Sequence, residues 1–278
     1  MAKILDGKLV SQKIKDEVKE YVANHSNQIS LTIVQVGDNP ASNTYVKNKC
    51  KACDEVGIAS LVSKFPEDVN ESIVTNELGF ESCISDGVML QLPLPDGLDE
   101  SKLINHIKPE VDADCLTAQA LGEFYSSNNP YLAPCTAQGI IDILDYYNIP
   151  IEGKHAVVVG RSNIVGKPVA HLLTCKNATV TLCHSKTENL SKFTQDADIL
   201  VVAIGKPRFI TSDMVKPGAV IIDVGINRDE NGKLCGDVDF EQVEPIASAI
   251  TPVPGGVGPT TIAELLKNTI KLHTKQND

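Results

Sequence analysis

Val157-Val158-Val159-Gly160-Arg161-Ser162-Asn163-Ile164-Val165-Gly166-Lys167-Pro168 reads as a buried strand, a glycine turn and the opening of a helix. Such a turn lets backbone amides and a helix N-terminus face a pyrophosphate. The spacing is not G-x-G-x-x-G, because Ser162 holds the second glycine's place and the next glycine is Gly166. As a bare pattern it also fits a tight strand-to-helix turn with no ligand. Outward from it, continuous apolar runs rich in β-branched residues recur at 155–159, 178–183, 199–203 and 219–223, with helical segments between them. Runs of that kind are parallel strands buried on both faces, so the fold class is α/β with a Rossmann-type parallel sheet in this half.

The amino-terminal half alternates in the same way. A helix is expected over 7–23, a strand over 30–36, and a helix that follows Asp38 and Asn39 and ends near Val56. Apolar runs at 58–63 and 87–90 flank a helix near 70–83, and further helices follow near 99–107 and 137–147. The loop-like stretch 126–130 and the region of Gly153 are plausible boundaries.

A second unusual stretch is Thr251-Pro252-Val253-Pro254-Gly255-Gly256-Val257-Gly258-Pro259-Thr260-Thr261-Ile262. Three prolines lack backbone donors, and three glycines reach conformations closed to other residues. Neither helix nor strand is expected to run through it. It joins an apolar β-like run at 247–250 to a helical pattern over 262–272. A shaped backbone there suits a wall for a flat ligand, or simply a tight connection.

Composition narrows the function. The chain has 278 residues, 42% hydrophobic and 22% charged, the balance of a soluble globular protein. Its net charge of -11 argues against nucleic acid or an anionic membrane as partner. No apolar leader or membrane-length run is present, so a cytoplasmic protein is expected. The eight cysteines suit reduced thiols better than a disulfide framework. Cys50 and Cys53 form a lone C-x-x-C within a helical pattern, and the other six read as small apolar fillers.

The strand after the glycine turn ends in His184-Ser185-Lys186. An acid that would bind ribose hydroxyls in a NAD site is missing there. A serine and basic groups, with Arg161 beside the first glycine, favour NADP; His184 by itself reads as structural. At the other site, Tyr45 and Lys49 stand four apart on a helix and share a face, which alone is the pattern of a solvated helix surface. Gln91 leaves a strand into Leu92-Pro93-Leu94-Pro95. Together they bring a phenol, an amine and an amide to one end of a parallel sheet.

With these residues in place, the chain resembles the bifunctional methylenetetrahydrofolate dehydrogenase/methenyltetrahydrofolate cyclohydrolase family over nearly its whole length. The matching stretches are Tyr45 to Lys49, Gln91 to Pro95, Gly160 to Pro168, Asp223 to Asn227, Gly236-Asp237-Val238 and Pro252 to Pro259. The resemblance implies two α/β lobes flanking a cleft. The amino-terminal folate lobe would take residues 1–121, with the carboxy-terminal helix 260–278 packing back on it. The NADP-binding Rossmann domain would take 122–259. It further implies a cytosolic homodimer, tetrahydrofolate derivatives as ligands, and neither nucleic acid nor membrane as partner.

The implied chemistry is NADP-dependent oxidation of 5,10-methylenetetrahydrofolate to the methenyl cation, then hydrolysis to 10-formyltetrahydrofolate. By the same resemblance Lys49 is the acid/base group, Tyr45 positions folate and Gln91 tunes Lys49. Leu90, Leu92, Pro254, Gly255, Gly256, Val257, Gly258 and Pro259 border the substrate. Gly160, Arg161, Ser162, Ser185 and Ile226 contact NADP, and no metal is implied. The aspartate of a Val-Asp-Gly motif would grip the pterin; it maps to Asp112 in Val111-Asp112-Ala113, with Asp114 as the alternative. Ala113, Ala137 and Thr260 depart from the family's pattern. Tyr45-x-x-x-Lys49 also resembles the pair of short-chain dehydrogenases, but there the pair follows the glycine turn. A NADP-responsive binding protein is the non-enzyme alternative; it leaves Tyr45, Lys49 and Gln91 without purpose.

Overall fold

The structure is a computed structural model that describes residues 1–277. Asp278, included in the expected carboxy-terminal helix, lies outside the described residues. The first half runs β1 (Lys3–Ile4), α1 (Gly7–Ala23), β2 (Ser30–Val36), α2 (Pro40–Val56), β3 (Ala59–Phe65), α3 (Glu71–Glu81), β4 (Gly87–Leu90), α4 (Glu100–Ile104) and α5 (Ala118–Ser126). Then come α6 (Cys135–Tyr146), β5 (His155–Val159), α7 (Gly166–Cys175), β6 (Thr179–Cys183), α8 (Leu190–Thr194), β7 (Ile199–Val202) and β8 (Val220–Asp223). The chain ends with β9 (Asn227–Arg228), β10 (Leu234–Cys235), α9 (Phe240–Val243), β11 (Ala249–Ile250) and α10 (Val257–Asn277).

Two compact units divide it. One takes Met1–Ser11 and Thr136–Thr261, the other Gln12–Cys135 and the chain from Ile262 onward. In the first, six strands form a sheet in the order β1-β11-β8-β7-β5-β6, each pairing parallel. β7 and β8 are buried at every residue, which their runs of Ile, Leu and Val demand. Val157, Val159, Leu200, Val202, Ile221 and Ile250 meet in one cluster. The expected lobe of 1–121 differs here, because β1 pairs with β11 and carries the first residues into this unit. A two-residue strand has no periodicity to read in a sequence.

In the second unit, β3-β2-β4 form a three-stranded parallel sheet. Alternation along the strands assigns its faces. Val34, Val36, Val88 and Leu90 pack with Val74 and Leu78 of α3 and with Leu103 and Ile104 of α4. Met89 and Gln91 point the other way, toward α2. That helix starts cleanly: Asn39 accepts from the amides of Ala41 and Ser42, Pro40 takes the first position, and Gly57 at φ 87° ends it. Its buried stripe is Ser42, Val46, Lys49, Ala52, Cys53 and Val56. Lys49 therefore occupies a core position of an amphipathic helix.

One sequence expectation is corrected. A helix does run into 251–262, since α10 begins at Val257 and continues through Pro259. Proline is tolerated in a first helical turn, where its missing N–H has no partner to lose. The β-like run at 247–250 shortens to β11.

Within the second unit α10 also anchors the segments that follow β4. Asn268 is buried, and its amide nitrogen donates to the carbonyls of Ala113 and Ala133, each at 3.0 Å. Asn268→Ala strips the donor from two carbonyls and is expected to lower unfolding stability by about 1–3 kcal/mol. Urea melts of the two proteins measure the difference; equal midpoints would show that these bonds contribute nothing.

Candidate active site

Lys49 is 6% exposed. Its Nζ donates to Gln91 Oε1 at 2.9 Å and to Met89 Sδ at 3.2 Å. Gln91 is itself buried, and its Nε2 donates to the Leu92 carbonyl at 2.6 Å, which turns Oε1 toward the lysine. The Gln91 amide donates to the Val34 carbonyl, extending the β4 ladder one residue beyond the strand. Burial is the largest influence on Lys49 and lowers its pKa; negative charge at Asp114 works against that shift. An uncharged amine inside a protein is a base of useful strength near neutral pH.

Tyr45, one turn before Lys49 on α2, is half-buried, and burial raises its phenol. The solvated-surface pattern for this pair thus does not describe Lys49. Leu90 lies in the apolar cluster with Val34 and Val88, and Leu92 packs against the same cluster. Their side chains face away from Lys49.

The carboxylates divide by role. Asp112 is buried, and one oxygen, Oδ2, accepts from the amides of Leu116 at 2.8 Å and Thr117 at 2.7 Å. Burial pushes its carboxyl up to about 6, with the Thr117 and Leu116 amides opposing that shift. It staples a turn. Asp114 is half-buried, and its charge acts on Lys49 more strongly than that of any other side chain. Cys115, next to it, has φ 57°, the left-handed region that glycine takes without strain. A left-handed residue is what the glycine of a Val-Asp-Gly motif could supply, and here it follows Asp114. Asp112-Ala113-Asp114-Cys115 offers two alignments as letters, and the positive φ falls at Cys115.

In the other unit, Gly160 has φ 128°, and a Cβ there would strike the Ala203 carbonyl; one at Gly166 would strike the Gly160 carbonyl. The turn is thus built on backbone approach. Ser162 Oγ accepts from the amides of Val165 at 3.1 Å and Gly166 at 3.3 Å, closing the start of α7. Arg161, Ser185 and Lys186 are exposed, and Ile226 is exposed beyond β8. The His184 ring accepts from the Lys186 amide at 3.2 Å, a turn-forming role. Gly255 has φ 106°, and its carbonyl accepts from the Gly7 amide at 2.9 Å.

Sequence reasoning missed the use made of Asp237. It is fully buried and accepts from the amides of Ile204, Gly205 and Lys206 and from Asn227 Nδ2, at 2.7–3.0 Å. Asp223 accepts from the amides of Gly225, Asp237 and Val238. Burial pushes the Asp223 carboxyl up to about 7. The two carboxylates shape the loops that leave β7 and β8; the Gly236-Asp237-Val238 motif was the available signal.

The cysteines are all free thiols. Cys83 is exposed, contrary to the filler reading, whereas Cys53, Cys115, Cys135, Cys183 and Cys235 are buried. Among the described residues no group of three or more His, Cys, Asp or Glu is placed to hold a metal ion. No helix among them is long and apolar enough to cross a membrane.

Comparison with known proteins matches residues 5–114 to the catalytic domain of tetrahydrofolate dehydrogenase/cyclohydrolase and residues 134–277 to its NAD(P)-binding domain. The chain is 52% identical over 276 residues to a bifunctional protein FolD from Lachnoclostridium phytofermentans, covering 97% of each. Its fold is similar to the crystal structure of a FolD methylenetetrahydrofolate dehydrogenase/cyclohydrolase from Campylobacter jejuni, with a TM-score of 0.95 and 44% identity over 99% of this chain and 100% of that one. It is similar also to the Trypanosoma brucei enzyme complexed with NADP cofactor and inhibitor, with a TM-score of 0.94 and 35% identity over 99% and 98%.

The structural role of Asp112 has a pH signature. Because its folded pKa is raised, the stability it confers is complete below the unfolded value near 4 and is lost as pH rises through about 6. Asp112→Asn keeps an oxygen for both amides and removes the titration. From pH 5 to pH 8 the variant should gain on the parent by on the order of 1 kcal/mol. Paired urea melts at the two pH values test this; a constant difference contradicts it.

Proposed function

This chain belongs to the tetrahydrofolate dehydrogenase/cyclohydrolase family, and from that premise we propose Lys49 as the acid/base group of both its reactions. The protein is a bifunctional enzyme that oxidises 5,10-methylenetetrahydrofolate to 5,10-methenyltetrahydrofolate and hydrolyses that product to 10-formyltetrahydrofolate. The observation that carries the residue assignment is a buried amine held by an amide and a thioether instead of a carboxylate.

NADP fits the glycine turn: Gly160 and Gly166 leave backbone room for a pyrophosphate, and exposed Arg161, Ser185 and Lys186 suit a ribose phosphate. Bound there, it supplies the acceptor for the hydride. The Ile204-Gly205-Lys206 loop set by Asp237, together with Ile226, completes the binding surface in this reading. No sulfur or metal chemistry is required of the protein.

The oxidation leaves a cation on the substrate, and a neutral Lys49 does not oppose it. In hydrolysis, water attacks the one-carbon centre while Nζ takes a proton from that water. The resulting ammonium then donates a proton to the departing ring nitrogen as the C–N bond breaks and the hydroxyl proton is lost, leaving the formyl group. One proton is released overall. Gln91 keeps Lys49 oriented throughout, and Tyr45 lies one turn away where it can pack on folate. Asp114 is the better candidate for the pterin donors than Asp112, since it is half-buried rather than buried and its carboxylate is not taken up by backbone amides as that of Asp112 is. Pro254 to Pro259 border the substrate through backbone; Leu90 and Leu92 contribute main chain at most. A cytoplasmic homodimer belongs to the same reading, with tetrahydrofolate derivatives as ligands. A net charge of -11 supports the absence of nucleic acid and membrane partners.

The assay follows reduction of NADP with methylenetetrahydrofolate, then decay of the methenyl product. Lys49→Met should bring hydrolysis down to the spontaneous rate, a loss of about 10²–10⁴-fold; hydrolysis above that background would refute the role. Asp114→Asn should raise the KM for folate by about 10–100-fold, the worth of a charge-assisted pair of hydrogen bonds. Asp112→Asn should leave that KM within about twofold. The reverse order of effects would return the pterin to Asp112.

A further inference from the structure

We infer that Met89 is a positioning residue for Lys49: with Gln91 it accepts two N–H bonds of the amine and so fixes where the third position of the nitrogen points. The inference rests on the reading of Lys49 as the acid/base group. It comes from the alternation of one strand. Val88 and Leu90 turn into the cluster under α3 and α4, which leaves Met89 and Gln91 as successive residues on the opposite face. There they present a sulfur and an oxygen to the same nitrogen, at 3.2 and 2.9 Å.

The count of bonds matters. A neutral amine has two N–H donors and one lone pair, and two acceptors meet it here. With both N–H bonds directed at β4, the lone pair is left to the reacting side. Met89 is 1% exposed, so its sulfur does not exchange this contact for water. A thioether is a weak acceptor, and an unbranched side chain adjusts its sulfur to the amine. It therefore orients the base while adding little that would favour the ammonium. An oxygen in its place would form a stronger, charge-assisted bond to the protonated form. Burial already lowers Lys49, and the sulfur leaves that effect in place.

The test is the pH dependence of methenyl hydrolysis by the full-length enzyme carrying M89L or M89Q, beside K49M. M89L keeps apolar volume and removes the acceptor. Its kcat should fall by about 10-fold at every pH with KM for folate unchanged, the mark of a misdirected base rather than lost binding. M89Q restores an acceptor. It should recover part of kcat at high pH, with the limb that rises with pH displaced upward by about one unit. If M89Q does not fold, M89N, a shorter acceptor, takes its place. Wild-type kcat in M89L overturns the inference, and so does an acceptor variant as slow as M89L with an unmoved limb. Full hydrolysis by K49M would instead remove the premise, which separates the two failures.

Discussion

A primary amine kept out of water is the constraint from which the catalytic unit follows. Lys49 stands where a helix of this pattern would carry a leucine, between Val46 and Cys53 on the buried stripe of α2. A charged group there costs several kcal/mol unless it is paired or gives up its charge. The sheet beneath offers an amide oxygen and a sulfur, neither of which neutralises an ammonium. Desolvation thus has a chemical consequence: the fold accepts a polar core residue whose ammonium gives up its proton more readily than that of a solvated lysine. The Asn39 cap, the Gly57 stop and the parallel register of β2 with β4 are what put that nitrogen over the end of β4.

Carboxylates show the complementary strategy. Asp112, Asp223 and Asp237 are buried, and each is met by backbone amides. They convert loop backbone into fixed shape at the ends of parallel strands, where α/β ligand sites are built. Asp114 is different in being half-exposed beside a left-handed Cys115. The three buried carboxylates hold the protein through backbone amides, whereas the Cys135 thiol is a side-chain partner of Asp114.

Much of this was legible in the residues. The bounds of α1, β2, β4 and β5 follow from periodicity alone, because long amphipathic runs and continuous β-branched runs carry strong signals. β1, β9, β10 and β11 are two residues each and carry none. The family and the Tyr45/Lys49/Gln91 grouping came from ordered motifs. Three things did not. The start of α10 inside a Pro/Gly stretch depends on position within a first turn, which composition hides. The choice between Asp112 and Asp114 depends on which carboxylate the backbone amides take up. Met89 reads as one more core residue until alternation on β4 shows which face it takes.

The central claim is that burial makes the Lys49 ammonium easier to deprotonate in the folded protein than in water. Carbon-13 NMR of enzyme labelled at the lysine ε-carbon, with K49M to assign the signal, follows that one group through its titration. The account predicts a midpoint well below 10.5, the value for a solvated lysine. A midpoint at or above 10.5 would mean a permanent ammonium and would contradict it.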